Sequence, residues 1–257
     1  MCIRDRSDEG RSVVWAGTEP SDIFRSENGG LTWKELPGLL AIPSRPKWSF
    51  PPRPWTHHVR SIAPDPYQPK RILVGIELGG VMLSDDGGAI WADHPLHAQP
   101  DVHHLRFHRN LRNRVYEAGG GGYAESLDGG RTWTRFDEGL DHTYVWNVAA
   151  DPGDPELIVI AVSPGPGPAH DKEQAWSALY RRTHGSKWSR LGPDNGLPEP
   201  EGMRAFLLAP GRRAGEIWAA SERRMFKSED GGSSWRSPPI DWTEDPGDGH
   251  VNGLEVL

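Results

Sequence analysis

The sequence predicts an all-β protein, a β-propeller built from four-stranded antiparallel blades. Three observations support this prediction. A short motif typical of a hairpin turn recurs along the chain, and a short hydrophobic strand pattern precedes each good copy. Glycine and proline, with 31 and 24 residues among 257, are as frequent as a chain rich in turns requires. Self-similarity at intervals of about 40 to 60 residues indicates repeated supersecondary units.

The repeated motif is an octet of the form S-x-D-G-G-x-T-W. The four good copies read SENGGLTW at 26–33, SDDGGAIW at 84–91, SLDGGRTW at 126–133 and SEDGGSSW at 228–235. A degenerate copy of the motif ends at Trp188. We call the good copies the first, second, third and fifth octets, after the predicted blade that carries each one.

The chemistry of the octet predicts a tight turn. An Asp or Asn side chain accepts hydrogen bonds from nearby backbone N–H groups. The glycine pair supplies the positive-φ conformations of a tight hairpin, and hydroxyl groups satisfy further backbone groups. The tryptophan begins the returning strand and fills the space between neighbouring sheets. The predicted structural residues are Ser26, Asn28, Trp33, Ser84, Asp86, Trp91, Ser126, Asp128, Trp133, Ser228, Asp230 and Trp235.

The octet resembles the Asp-box, or BNR, repeat. That repeat occurs in the β-propellers of sialidases, sortilin-type receptors, some xyloglucanases, photosystem II assembly factors and many uncharacterised bacterial proteins. The resemblance covers nearly the whole chain and implies the fold. It is weak evidence for any activity, because the turn is structural in all of these families. In sialidases the Asp-boxes lie away from the active site, so the resemblance implies that a site here lies opposite the octets.

The strand pattern defines about five blades. The first has only three predicted strands, at 12–19, 22–26 and 31–36, so its inner strand is expected to be absent. Residues 1–7, which begin MCIRDR, match neither a strand, a helix nor a targeting segment. We therefore predict that 1–7 is a non-native tail. We also predict that 8–257 is a single propeller domain, truncated at its N-terminus from a six- or seven-bladed parent.

The remaining strands follow in order from the inner to the outer edge of each blade. The second blade is predicted at 59–63, 71–77, 80–84 and 89–92, and the third at 102–107, 114–118, 123–126 and 132–136. The fourth is predicted at 145–149, 157–162, 178–182 and 187–191, and the fifth at 203–208, 216–220, 224–228 and 234–237. A lone inner-type strand is predicted at 251–257.

The composition of the chain argues against several classes of function. The net charge of −7 and the lack of a basic run argue against nucleic-acid binding. No apolar run reaches transmembrane length, and the single cysteine, Cys2, forms no disulfide framework. We expect a soluble, cytoplasmic monomer without a cofactor, although the predicted truncation leaves a lost signal peptide open.

Long insertions indicate where a site would lie. They fall at 38–57, 163–176, 192–202 and 241–250, all on the face opposite the octets. Polar and aromatic residues align at the first and third positions of the inner strands on that face. The predicted ligand-binding residues are Arg60, His103, Trp146, Arg204, Asn252, His58 and His250, with Gly202 at an equivalent position and Glu222 at the end of a second strand. They suit an anionic or sugar-like ligand. A solvated channel mouth or a protein-binding surface is the alternative.

Two functions remain open at this stage. The first is a non-enzymatic binding or assembly module whose partner is a small molecule, a glycan or a protein. The second is a glycoside hydrolase of sialidase or xyloglucanase type, with candidate catalytic residues Asp101, Glu77, Glu117, Tyr144 and Glu201. A close carboxylate pair, or Tyr144 bonded to a carboxylate, would favour the hydrolase. We predict no metal site, because adjacent histidines such as His103 and His104 point to opposite faces of a strand.

Overall fold

The computed structural model describes residues 2–8, 11–222, 224–240, 251 and 253–256, with side chains from Val13 onward. The chain divides into two compact units, Met1–Glu117 with Ala124–Arg135, and Ala118–Tyr123 with Phe136–Leu257. Within the described residues the strands form five antiparallel sheets, one for each predicted blade. Among those residues no helix has the length and apolar character to cross a lipid bilayer.

The first blade has four strands, β1 (Cys2–Asp8), β2 (Arg11–Gly17), β3 (Ile23–Ser26) and β4 (Lys34–Glu35). Strand β1 pairs with β2 from Cys2↔Gly17 to Asp8↔Arg11. The expectation that this blade lacks an inner strand is therefore wrong. The side chains of 2–8 do not follow a strand pattern, but a ladder is made by backbone groups that every non-proline residue carries. The non-native origin of residues 1–7 stays a prediction.

The second and third blades follow the predicted order. The second contains β5 (Val59–Pro64), β6 (Ile72–Ile76) and β7 (Gly80–Ser84), and its outer edge is a single bridge between Leu83 and Ala92. The third contains β8 (Val102–Phe107), β9 (Val115–Gly119), β10 (Gly122–Ser126) and β11 (Thr134–Arg135). Two short 3₁₀ helices, Pro37–Ala41 and Arg45–Lys47, lie in the long link before β5.

The fourth blade contains β12 (Tyr144–Ala150), β13 (Ile158–Ser163), β14 (Ala178–Arg182) and β15 (Ser189–Arg190). A five-residue helix, α1 (Pro166–His170), follows β13, and a 3₁₀ turn spans Pro193–Asn195. The fifth blade contains β16 (Leu207–Pro210), β17 (Ile217–Ser221) and β18 (Arg224–Ser228).

Two strand predictions in the last part of the chain are wrong. Strand β16 begins at Leu207 rather than at residue 203, because the backbone N–H of Ala205 bonds to the Ala169 carbonyl of α1 instead of a strand. The strand expected at 251–257 is not seen, since residues 251 and 253–256 lie outside any strand.

The octets form the turns that their sequence predicts. In the third octet the Ser126 hydroxyl donates to Asp128 Oδ1 at 2.8 Å and accepts from the Gly130 N–H at 2.8 Å. Asp128 Oδ1 also accepts from the backbone N–H groups of Arg131 and Thr132 at 3.0 and 2.9 Å. Gly130 has a φ of +94°, which only glycine adopts without strain. The first, second and fifth octets repeat the bonds of the serine to the Asx side chain and the second glycine.

The core lies between neighbouring blades. Each described cluster joins second-strand residues of one blade to the octet tryptophan of the next. The pairs that illustrate this are Trp15 with Trp91, Leu73 with Trp133, and Val159 with Trp235. Interblade packing therefore holds the second, third and fifth octets in place.

Candidate functional site

Each blade has a side on which its inner strand begins and its second strand ends, and we call this the strand-start face. Two inner strands carry a β-bulge there. The register of β5 shifts between Val59 and Ser61, and that of β12 shifts between Val145 and Asn147. Bulges re-aim side chains and are over-represented next to active sites. The intervening residues are Arg60 and Trp146, which the sequence analysis predicted as ligand-binding residues.

The residue after each bulge links to the next inner strand. The Ser61 hydroxyl accepts from the Leu105 N–H at 2.9 Å in the first unit. In the second unit the Asn147 amide oxygen accepts from the Leu208 N–H at 3.2 Å. The bulges are thus anchored on one side, so Arg60 and Trp146 extend from a fixed backbone.

In the second blade the predicted residues gather around one carboxylate. His58 Nε2 lies 3.1 Å from Glu77 Oε2, and Arg60 Nε lies 3.9 Å from the same oxygen. The ring of Phe50 packs edge-on against His58 with centroids 4.5 Å apart. The Arg60 side chain keeps 30% of its surface exposed, so it remains accessible from solvent.

In the third blade the predicted residues are more deeply buried than those of the second blade. His103 Nε2 is 3.6 Å from Asp101 Oδ2, and the His103 side chain is almost fully buried. Glu117 is completely buried, and its Oε2 accepts from the Gln99 N–H at 3.0 Å. Glu117 Oε1 and both side-chain polar atoms of Gln99 are buried without a hydrogen-bond partner among the described residues.

Burial changes the chemistry of Glu117. It raises the pKa of this carboxyl to about 8, against the opposing effects of the Gln99 N–H and the charge of Arg135. Glu117 is therefore protonated at neutral pH. A neutral acid in an apolar setting can donate a proton, but a fully buried one has no surface for a ligand.

In the fourth blade the site is aromatic. The rings of Tyr144 and Trp146 are stacked, with centroids 6.2 Å apart and 12° between planes. His170 of α1 packs against Trp146 at 4.2 Å. Its Nε2 lies 3.2 Å from the Tyr144 hydroxyl. Together these three residues form what we call the aromatic platform.

In the fifth blade an ion pair occupies the equivalent position. The Arg204 guanidinium bonds Glu222 through two nitrogens, Nε to Oε1 and Nη2 to Oε2 at 2.6 Å. The Arg204 carbonyl accepts from the Ser221 hydroxyl at 2.6 Å. Glu201 is exposed and forms a backbone bridge with Trp176, and Gly202 beside it has a φ of +77°.

The structure thus groups the predicted residues blade by blade. It brings His58 and Arg60 to Glu77, His103 to Asp101, Trp146 to Tyr144, and Arg204 to Glu222. His250, Asn252 and the 241–250 insertion lie outside the described residues. Within the described ranges, no three His, Cys, Asp or Glu side chains are placed to share a metal ion.

Sequence reasoning missed three residues on this face. His170 lies within the 163–176 insertion, which was recognised only as a long loop. Phe50 lies in the 38–57 link in the same way. Gln99 lies two residues before Asp101, so extending the inner-strand alignment toward the N-terminus would have found it.

Concave surface is also present on the octet side of the first unit. A groove of about 630 Å³ runs past Trp33, Lys34, Lys70 and Asp86. A second groove of about 620 Å³ is lined by Tyr67, Gln68, Pro69, Lys70, Arg71, Asp85 and Arg131. Grooves in the surface therefore also occur away from the face that carries the long insertions.

No protein-family model and no curated protein matches the sequence. Solved structures do match this chain. An ancestral GH74 enzyme aligns with a TM-score of 0.65 and 16% identity, over 88% of this chain and 30% of its own. The GH74 xyloglucanase from Xanthomonas campestris aligns with a TM-score of 0.63 and 20% identity, over 90% and 37%. This chain folds as a β-propeller.

The likeness extends to the fold alone at these identities, and the chain spans about a third of the length of the GH74 structures. A structure of YCF48 bound to D1 peptide aligns with a TM-score of 0.41 and 17% identity, over 88% of this chain and 76% of its own. Function must therefore be argued from the propeller's own residues.

Proposed function

We propose that this propeller is a non-enzymatic binding module that holds its ligand on the strand-start face. The observation that supports it is the arrangement of carboxylates there. Glu77 faces His58 and Arg60, and Glu222 faces Arg204. Glycoside hydrolysis uses two carboxyl groups that flank one bond. Carboxylates that neutralise cations instead fix those cations in position, which serves recognition.

The aromatic platform supports a proposal for the class of ligand in the second unit. A flat, partly exposed indole stacked on the buried Tyr144 ring offers an apolar face, and the exposed His170 imidazole lies at its edge. The face of a sugar ring and the side chain of a proline or aromatic residue both suit such a surface. The ligand is therefore a glycan or a protein segment that presents an apolar face with polar groups around it.

In the first unit Arg60 is a partly exposed cation on this face. Glu77 Oε2 lies 3.9 Å from its Nε and helps to orient the guanidinium, while about 30% of the side chain stays exposed. Arg is well suited to planar anions such as carboxylates. We propose that Arg60 binds an acidic or hydrogen-bond-accepting group on the strand-start face of the first unit.

Glycoside hydrolysis is the second candidate, and Glu117 is the observation that favours it. A carboxyl protonated at neutral pH is what a general acid requires. The fold likeness to GH74 enzymes adds only an analogy. Complete burial of Glu117 weighs against this function, because the acid must reach the glycosidic oxygen.

The proposal is tested by measuring ligand binding and glycoside hydrolysis on the same samples. Isothermal titration with xyloglucan oligosaccharides, sialic acid and a proline-rich peptide would be run on the wild type, Trp146→Ala and Arg60→Ala. The matched control is Trp33→Ala, which removes a half-exposed tryptophan on the octet side. We expect one ligand class to bind the wild type and the control equally, and to lose about tenfold or more in affinity in a strand-start variant.

The same samples would be assayed for newly formed reducing ends. We expect none above background in the wild type. Reducing ends that form with the wild type and disappear with Glu117→Gln would replace the binding module with the hydrolase. Equal binding by all three variants would place the ligand elsewhere and overturn the proposal.

A further inference from the structure

The second groove on the octet side, which we call the Tyr67 groove, is built on a turn that two blades share. The turn before β6 spans 65–71 and reads DPYQPKR, and the turn before β13 spans 151–157 and reads DPGDPEL. Asp65 Oδ1 accepts from the N–H groups two and three residues later at 2.7 and 3.2 Å. Asp151 Oδ1 accepts from the equivalent groups at 2.7 and 2.9 Å. Both turns therefore have the same backbone hydrogen bonds.

The side chains on this shared backbone have opposite character. The third, fourth, sixth and seventh residues of the turn are Tyr67, Gln68, Lys70 and Arg71 in the second blade, and Gly153, Asp154, Glu156 and Leu157 in the fourth. One turn thus carries an aromatic ring and two cations, and the other carries two carboxylates. Because the fourth blade forms the turn without a ring or a cation, the turn itself does not require them.

Arg71 shows most clearly that the fold does not require the cations. A Cβ built on Gly129, the first glycine of the third octet, would collide with Arg71 Nη1. One built on Gly231, the first glycine of the fifth octet, would collide with Leu157 Cδ1. Arginine and leucine therefore pack in equivalent places. Arg71 is only 7% exposed, and burial of a charge costs free energy that burial of Leu157 does not.

A hydrogen-bond network holds Arg71 together with a second arginine. Arg71 Nε donates to Asp85 Oδ1 at 2.7 Å, and its Nη1 donates to Asn113 Oδ1 at 2.9 Å. Arg131 Nη2 donates to Asp85 Oδ2 at 2.6 Å, and its Nη1 donates to the Asp128 carbonyl at 3.0 Å. One carboxylate therefore bridges two guanidinium groups of neighbouring blades. Both cations are oriented before any ligand arrives, which reduces the entropy lost on binding.

Cations outnumber carboxylates at this groove. The charged residues that line it or lie next to its lining are the cations Lys70, Arg71, Arg112 and Arg131 and the carboxylates Asp65 and Asp85. Lys70 is exposed, and no carboxylate among the described residues pairs with its ammonium. The octet carboxylates Asp86 and Asp128 accept from N–H groups of their own turns. The groove therefore favours an anion, although the whole chain has a net charge of −7.

The groove also has an apolar part. The Tyr67 ring is half-buried, and the Arg112 guanidinium lies 5.0 Å from its centroid. Pro69, two residues later, is exposed. The volume of about 620 Å³ lies within the range of small-molecule sites. A ligand with a ring can therefore pack beside the cations.

We propose that the Tyr67 groove binds a small ligand in which an oxyanion is attached to a flat ring. The oxyanion is a phosphate, a sulfate or a carboxylate, and it accepts hydrogen bonds from Lys70 and Arg131. The ring packs against Tyr67. The groove lies on the octet side, so this proposal does not rest on the one made for the strand-start face.

The class of ligand is tested by isothermal titration with phenyl phosphate, phenyl sulfate and benzoate. Phenol is the uncharged control, and the free anions phosphate, sulfate and acetate are the controls without a ring. We expect at least one ring anion to bind, phenol not to bind, and the matching free anion to bind about fivefold or more weakly. Binding of the ring anion should weaken as salt is added, because salt screens exposed charges. No binding of any ring anion overturns the proposal, as does equal binding of phenol or of the free anion.

Variants that copy the fourth blade test the location of the site. Lys70→Glu and Tyr67→Gly introduce the residues that the equivalent turn already carries, and circular dichroism would verify that both proteins fold. We expect the affinity for the ring anion to fall about tenfold or more in Lys70→Glu and about fivefold in Tyr67→Gly. Lys70→Arg keeps the charge and should bind like the wild type. Glu156→Gln changes the equivalent position of the fourth blade and should also bind like the wild type. Unchanged affinity in Lys70→Glu overturns the proposal.

Discussion

The octets and the strand-start face differ in how much they vary along the chain. The octets repeat one hydrogen-bond pattern, in which a serine hydroxyl bridges an Asx side chain and a glycine N–H. The strand-start face carries a different constellation in each blade, acidic and cationic in the second and aromatic in the fourth. The repeated region maintains the fold, and the variable region is where a ligand can be distinguished.

The largest expected effect on stability lies in the octets. Trp133→Ala removes a ring that is 5% exposed between the second and third blades, so it should cost about 3–5 kcal/mol of unfolding free energy. Trp33→Ala removes the half-exposed equivalent and should cost less than about 1 kcal/mol. Urea unfolding of both variants measures the difference. Equal losses would show that burial by the preceding blade does not decide the contribution.

Glu117 is the place where the strand-start face should also affect stability. Its folded pKa of about 8 lies above the ordinary value of 4.5, because burial disfavours the charged form. Its contribution to stability is therefore complete below pH 4.5 and is lost as pH rises to about 8. The unfolding free energy should fall by about 1.4 kcal/mol per pH unit across that window from this group alone.

Glu117→Gln tests that slope. The amide stays neutral, so the variant should lack this part of the pH dependence and should be more stable than the wild type above pH 8. Chemical unfolding at a series of pH values measures it. Parallel pH profiles for the two proteins would contradict the raised pKa.

A smaller effect is expected from the turn acceptor of one octet. Asp128→Ala removes the oxygen that accepts from the N–H groups of Arg131 and Thr132, at a cost of about 1–2 kcal/mol. Leu127→Ala changes a 71% exposed side chain in the same turn and should be close to neutral. Thermal unfolding compares them. Ligand binding should be the same in both variants, and a loss of binding in Asp128→Ala would contradict the separation of roles.

The smallest effect on stability should come from Trp146→Ala. Trp146 lies in the bulge of β12, outside the regular ladder, and packs against His170 and Tyr144, so its removal should change the unfolding free energy by about 1 kcal/mol or less while binding is lost. Arg204 is a less selective probe, because Arg204→Ala also leaves Glu222 without its bidentate partner. A large loss of stability in Trp146→Ala would mean that the aromatic platform supports the fold.

The fold could be predicted because its determinants are local. An octet places the donor, the acceptor and both glycines within eight consecutive residues, so the turn can be read directly from the sequence. The second strands were predicted from continuous apolar runs such as 72–76, which lie buried in the sheet. Strand β1 escaped prediction because its pairing with β2 depends on backbone groups rather than on a side-chain pattern.

The site could be predicted only as a set of positions. Alignment of the inner strands found Arg60 and Trp146, but their bulges and partners depend on the folded sheet. Arg204 was assigned to a strand that begins three residues later, because α1 takes up the backbone N–H of Ala205. His170 reaches the aromatic platform from an insertion that has no periodic pattern.

The bulges at Arg60 and Trp146 also bear on how such a protein can diversify. A residue in a regular ladder is constrained by cross-strand neighbours on its own face of the sheet. A bulged residue is released from that pairing, while Ser61 or Asn147 beside it keeps the backbone fixed through the next inner strand. Evolution or a protein engineer can therefore exchange the side chain at the bulge of one blade and alter recognition there without redesigning the scaffold.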